Sequence, residues 1–325
     1  MSGKARRLAL LLLALSLLSG CAASPPDTLV RSEPAAAQLI SADTQGLTAD
    51  SFPATLYFRY GSTAYLAPEE RLLSVQRNET KEKALVQALL DGPAAVQSAL
   101  SPLFPPGTQV LAAASQGDTL FITFNEALLG RYSDEPSSLS AEPWKTEGTL
   151  RRQLCMDALS ATLTEAGLCA QVQVLVYREK AQTASMRLHA GFFDRTEDET
   201  LLPAFTRNEA ALLTPHNTGS VLLTAWMTQD WATLYDLVAR EQENDPRPDE
   251  LAAFDAFHAA RTVTSFSLSP GNVASDGAKA VLSAQMTLRS QGEDQLLSGY
   301  PLHLVRENGL WKIPYSRLTA LMNQD

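Results

Sequence analysis

Residues 81–124, KEKALVQALLDGPAAVQSALSPLFPPGTQVLAAASQGDTLFITF, constrain the fold more than any other stretch. Over 81–90, Ala84, Leu85, Ala88 and Leu89 share one stripe and Lys81, Glu82 and Lys83 stay in water, the pattern of a helix that buries one face. Asp91-Gly92-Pro93 closes that helix, because glycine accepts a left-handed cap and proline has no N–H to extend the ladder. A second short apolar helix is expected next. Pro105-Pro106-Gly107 then turns the chain into a strand, Gly117-Asp118 reverses it, and residues 119–125 alternate as a strand buried on one face. No constellation of catalytic side chains lies in or near this stretch.

The N-terminus speaks to location. Residues 1–7 are basic, residues 8–18 form an apolar run of Leu, Ala and Ser, and the run is too short to span a bilayer comfortably. It ends in Leu18-Ser19-Gly20-Cys21, which resembles the lipobox of bacterial lipoproteins. The small residues Ser19 and Gly20 let the backbone enter a peptidase, and the Cys21 thiolate is the nucleophile that would take a diacylglycerol. Residues 1–20 therefore read as a signal peptide and Cys21 as the lipidated first residue. Residues 21–52 hold Pro25, Pro26, Pro34 and no apolar period, so they read as a flexible tether. Such a coil spans roughly 30 Å, and about 100 Å at full stretch.

Charge narrows the partners. The chain carries 26 basic and 36 acidic residues, a formal charge of -10. Residues 1–20 remove Lys4, Arg6 and Arg7 and no acid, leaving 23 basic residues against 36 acidic. A surface of that sign repels phosphate backbones and anionic headgroups, so no nucleic-acid partner is expected. At 45% hydrophobic and 19% charged residues, 325 residues suit two folded domains.

The first domain is expected over 53–200. Leu56, Phe58 and Tyr60 share one face of a strand, and 66–76 reads as a turn and second strand. Residues 130–148, rich in Ser, Glu and Pro, read as a mobile surface loop, and 149–166 reads as a helix ended by Gly167. Val172, Val174 and Val176 alternate in the strand that follows. This order gives a sheet-plus-helices sandwich. Leu56-Tyr57-Phe58, Leu89-Leu90-Asp91-Gly92-Pro93, Pro106-Gly107-Thr108, the Leu-rich helix and residues 172–176 together resemble the GerMN domain of sporulation and spore-germination lipoproteins. That resemblance covers about residues 53–195. It implies envelope assembly and brings no catalytic residues.

The second domain is expected over 215–325. Three helices (from Val221, from Asp230-Trp231, and over 248–261) precede four strands, at 263–269, 278–289, 295–306 and 310–315, with Asn308-Gly309 as a hairpin turn. Three helices followed by a four-stranded antiparallel sheet form an α+β cone. Its Gln229-Asp230-Trp231 step and closing Gly309-Leu310-Trp311-Lys312-Ile313 resemble the nuclear-transport-factor-like superfamily. Trp226, Trp231, Phe254, Phe257 and Trp311 read as the filling of that cone.

Chemistry is sparse. His189, His216, His258 and His303 fall in different elements without metal-ligand spacing, and no cofactor or metal is expected. The acidic run Asp194, Glu197, Asp198, Glu199 lacks the spacing and glycine of a calcium loop and reads as solvated. Cys155 and Cys169 read as two buried thiols, because the helix between them separates them by roughly 16 Å. Tyr235, Asp236, Asp255, His258 and Tyr300 are the candidates for a cone mouth.

The fold class is thus α+β in two domains. The expected function is that of a non-enzymatic scaffold or assembly component of the bacterial envelope, extracytoplasmic, held to the membrane through diacylglyceryl-Cys21, in sporulation or germination. Its expected partners are other envelope or cell-wall-associated proteins, with copies of itself as an option. The alternative is a lipoprotein that binds a small molecule or glycan in the C-terminal cone. Replacing Cys21→Ala is expected to move the protein out of the membrane fraction and abolish labelling by radioactive palmitate, read by fractionation and autoradiography.

Overall fold

The computed structural model describes residues 50–136, 142–178, 185–240, 245, 247–252, 254, 260–290 and 292–322. The signal sequence, the lipobox Leu18, Ser19, Gly20 and Cys21, and the tether up to residue 49 lie outside them.

The first strand, β1 (Asp50–Tyr60), begins four residues before Ala54, where the alternation starts, because Asp50 to Pro53 already pair with residues 72–75 of β2 (Leu66–Val75). Helix α1 (Lys81–Asp91) opens on Thr80, whose hydroxyl accepts the Lys83 N–H, and stops at Gly92 with φ 85°. The expected second helix after Pro93 does not form. The chain makes two turns instead, and β3 (Leu100–Ser101) pairs with Arg59 and Tyr60 at the open edge of β1. Pro102 ends that pairing, since it has no N–H for the ladder. The sandwich accordingly holds two sheets rather than one, and the first has the order β2-β1-β3.

The second sheet begins with the hairpin read from Gly117-Asp118, β4 (Val110–Gln116) and β5 (Thr119–Asn125), with Gly117 at φ 58°. Helix α2 (Glu142–Glu165) then crosses over to β6 (Gln171–Tyr177), which runs parallel to β5. Leu120, Ile122 and Phe124 pair with Val172, Val174 and Val176, and all six are buried. On the far flank of β6 lie β7 (Met186–Arg187) and β8 (Phe205–Thr206), with the short helix α3 (Gly191–Asp194) between them. The 130–148 segment is not a free loop where it is described. Tyr132 and Glu135 are buried, and α2 starts seven residues before Thr149, with Pro143 in its first turn where a missing N–H costs nothing.

Leu212 and Leu213 meet Leu66 and lead into α4 (Pro215–Thr228), capped by Thr214, and α5 (Trp231–Asp236), capped by Asp230. Of the expected 248–261 helix, Leu251, Ala252 and Phe254 are helical, and the stretch 255–259 lies outside the described residues. The antiparallel sheet that follows has the order β10-β11-β12-β13, with β9 also on β11. Its strands are β9 (Thr262–Leu268), β10 (Asn272–Val273), β11 (Lys279–Ser290), β12 (Glu293–Glu307) and β13 (Leu310–Lys312). The two-residue β10 is a fifth strand beyond the four expected. Asn308 and Gly309 both have positive φ, 51° and 82°, as a two-residue hairpin turn requires. The last strand is shorter than expected. Pro314 ends it and opens α6 (Tyr315–Met322).

Gly219 of α4 lies so close to this sheet that a Cβ there would stand 2.6 Å from Leu282 Cδ1. Trp226 and Phe254 are fully buried, Trp231 and Trp311 partly so, and Phe257 lies outside the described residues. The chain is α+β, and its buried apolar side chains form one cluster that runs from Ala54 to Leu321. Trp226 also donates its indole N–H to the Arg261 carbonyl, 2.9 Å away. Trp226→Ala should therefore cost about 3–5 kcal/mol of unfolding free energy, measured by urea denaturation.

Candidate functional site

Parallel strands β5 and β6 end side by side, Asn125 opposite Tyr177. The carboxyl ends of parallel strands are where open α/β sheets leave room for ligands. A groove of about 790 Å³ lies here. Leu129, from the turn after β5, and Val176, Leu188 and Phe192 give it an apolar lining. Arg178, Arg187 and His189 contribute basic groups, and Glu197, Asp198 and Glu199 acidic ones.

One wall is the excursion 188–202, which leaves the sheet between β7 and β8. Leu202 N–H bonds the Leu188 carbonyl at 2.9 Å and Ala190 N–H bonds the Thr200 carbonyl at 2.8 Å, which closes its base. Gly191 is required, because a Cβ would stand 2.1 Å from the Thr196 carbonyl oxygen. Asp194 accepts from the Thr196 N–H and hydroxyl, and Asp198 from the Thr200 N–H. These hydrogen bonds from Thr196 and Thr200 hold both carboxyls below the usual range. The acidic run stays exposed, and two of its four members serve as turn formers.

The wall is latched by a buried ion cluster. Arg195, in the left-handed region at φ 61°, donates to the carbonyls of Leu129 (3.2 Å) and Gly130 (2.6 Å), and its Nε lies 3.3 Å from Glu135 Oε1. Glu135 has a side chain with no exposed surface; its Oε2 accepts from Tyr132 N–H and from Arg152 Nη2 of α2. Burial, with the neighbouring Arg152 guanidinium, pushes Arg195 below its ordinary pKa. A second network sits one residue away. Arg59 of β1, 5% exposed, donates to the Ser62 and Thr63 carbonyls and grips Glu147 with both terminal nitrogens. Arg151 bonds Glu147 at 2.7 Å and Asp134 at 2.8 Å. Burial opposes ionisation of Glu147, but the Arg59 and Arg151 guanidiniums outweigh it and hold the carboxyl below its usual range.

Neither network was read from the sequence. The available signal was a basic residue inside an apolar pattern: Arg59 in Leu-Tyr-Phe-Arg-Tyr, and Arg152 two residues before Leu154-Cys155-Met156.

Of the expected cone-mouth residues, the three that are described, Tyr235, Asp236 and Tyr300, make separate contacts. Tyr235 spends its hydroxyl on the Pro248 and Asp249 carbonyls beneath Arg247, Asp236 lies 3.8 Å from Arg240, and Tyr300 is half-buried on β12. Asp255 and His258 lie outside the described residues. Cys155 is buried and Cys169 half-buried, both free, and burial raises both thiols. Among the described residues no three His, Cys, Asp or Glu side chains gather as metal ligands.

Residues 55–178, which run from within β1 to the end of β6 and hold every member of the two networks except Arg195, match the family model described as Germane, sporulation and spore germination. The chain carries a Germane (GerMN) domain. No curated protein matches the chain significantly. Among solved structures, the tandem GerMN domains of the sporulation protein GerM from Bacillus subtilis align at 17% identity and TM-score 0.31, over 49% of this chain and 46% of that one. The chain thus spans less than half of that structure. The first GerMN domain of the same protein aligns at 12% identity and TM-score 0.28, over 46% of this chain and 97% of that one. A candidate lipoprotein from Clostridium perfringens aligns at 17% and 0.26, over 49% and 88%.

The depressed carboxyls of the Germane domain make a pH prediction. A carboxyl whose pKa falls on folding stabilises the fold above its unfolded value, about 4.5 for Glu147, and loses that contribution as pH drops through the folded value. Asp157, raised by burial, acts in the opposite sense but is common to both proteins compared. Glu147→Gln should lower the melting temperature at pH 7 and flatten its decline below pH 4.5, measured by thermal unfolding across pH 3–7 for both proteins.

Proposed function

We propose that this protein is an extracytoplasmic lipoprotein, held to the bacterial membrane through diacylglyceryl-Cys21, that acts as a non-enzymatic scaffold or assembly component of the envelope in sporulation or germination. The Germane match over 55–178 carries this reading. The lipobox at Leu18, Ser19 and Gly20 supports the anchor, and among the described residues no helix is long and apolar enough to cross a membrane. The aromatic filling around Trp226 and Phe254 favours a scaffold over a ligand cup in the second half. We assign 53–200 as the Germane domain and 215–325 as a second, nuclear-transport-factor-like one. Its partners in this reading are envelope or cell-wall-associated proteins.

A ligand-binding reading draws on the groove between Leu129, Val176 and Phe192 rather than on the cone. In-cell cross-linking of the anchored protein, in growing and in sporulating cells, separates the two. The scaffold reading expects specific envelope proteins that disappear in a Cys21→Ala strain. A protein that captures no partner in either state contradicts it.

A further inference from the structure

Strand β4 ends its sheet, and among the described residues β5 is its only strand partner. Its sequence, Val-Leu-Ala-Ala-Ala-Ser-Gln, holds no charge and no proline, and five of its seven residues are exposed. Natural sheet edges are normally defended by charge, proline, cover or extreme shortness, because unpaired N–H and C=O groups invite another strand. The other edges here follow that rule. β2 carries Pro68, Glu69, Glu70 and Arg71, and β10 and β13 have two and three residues. β9 is also uncharged, but α4 packs along it and only Ser265 and Ser267 are exposed, whereas β4, although α1 touches it, keeps five of its seven residues exposed. The single irregularity of β4, a bulge between Val110 and Ala112, leaves Ala112 to Gln116 in regular register with β5.

The sheet face beside this edge is uncharged too. The residues that point away from the buried Leu120, Ile122 and Phe124 are Thr119, Phe121, Thr123 and Asn125, and opposite them on β6 stand Gln171, Gln173, Leu175 and Tyr177. Gln173 is buried and Tyr177 alone of these eight is exposed, so in a chain of net charge -10 it is the β4 edge itself that presents an exposed surface without charge.

We propose that β4 is a self-association edge, where two copies of this chain pair antiparallel, β4 to β4, and join their sheets. A second copy fits this edge as occupant because the strand opposes no like charges to itself and its sequence is self-complementary. Two such chains repel one another over most of their surfaces, and β4 is an open edge where they meet with no like charges opposed. The pairing is also self-complementary about a two-fold axis, as an isologous dimer must be. Centred on Ala113, it sets Ala112 against Ala114 and Leu111 against Ser115, so no bulky side chains collide. This deepens the assembly reading above but stands on the edge alone, so loss of the envelope partners would not touch it.

The test uses the full-length protein carrying two different tags, co-expressed, extracted in mild detergent and captured through one tag. One variant carries Ala112→Lys and Ala114→Lys, a second Ala112→Glu and Ala114→Glu. Wild type should capture its differently tagged copy. Each charged variant should lose self-capture by about tenfold or more, since like charges directly opposed across strands destabilise pairing. The Lys and Glu variants co-expressed together should regain it. Absence of self-capture by wild type overturns the proposal. So does undiminished self-capture by the Lys variant, or failure of the mixed pair to recover while each variant keeps the wild-type melting temperature. Should either variant misfold, wild-type self-capture blocked by Ala113→Pro serves instead, and self-capture that survives it overturns the proposal.

Discussion

Helix α2 is buried over nearly all of 154–163, with Gln153 and Glu165 exposed on either side of that stretch, and the Germane domain is arranged around it. Leu154, Cys155, Met156, Ala158, Leu159, Ala161 and Leu163 are all buried, as are the polar Ser160 and Thr162. A helical stretch that buries this many consecutive positions belongs in an interior. Here it packs against β1 of one sheet and β6 of the other, and Tyr57 N–H bonds Thr162 Oγ1 at 3.1 Å across the first contact. Its N-terminal half carries Glu147, Arg151 and Arg152 into the same interior, where each charge must find a partner or cost several kcal/mol. Arg59, Asp134 and Glu135 are those partners, and Glu135 in turn reaches Arg195.

The groove follows from this. As the crossover between parallel β5 and β6, α2 sets their carboxyl ends side by side, and Arg152 holds Glu135 where Arg195 can reach it. The excursion 188–202 is thereby tied to the chain leaving β5 through the Leu129 and Gly130 carbonyls. One wall of the groove depends on a three-residue ion cluster whose members lie 17 and 60 positions apart in sequence.

Local signals were legible and long-range ones were not. Gly92, Gly117 and Asn308-Gly309 each marked a turn that needs positive φ, and each appears where expected. The alternation of Ala280, Leu282, Ala284, Met286 and Leu288 matched a strand buried on one face. The helix expected after Pro93 failed because an open edge of β1 took Leu100 and Ser101, a tertiary demand that no local propensity reveals. The start of α2 was hidden by the Ser, Glu and Pro content of 130–148, where Glu147 reads as solvent-facing until Arg59 and Arg151 are seen around it. Closing helix α6 was missed because Ile313 continues the apolar run of β13 and masks the break at Pro314. For the site, composition identified the acidic run as solvated, but nothing in sequence proximity joins Glu135, Arg152 and Arg195.

The claim that the buried cluster holds the groove wall is tested most directly by amide hydrogen exchange on Glu135→Ala beside wild type. The account predicts selective loss of protection over 129–135 and 188–202, with β1 and β11 still protected. Uniform loss across both sheets, or unchanged protection of the excursion, would contradict it.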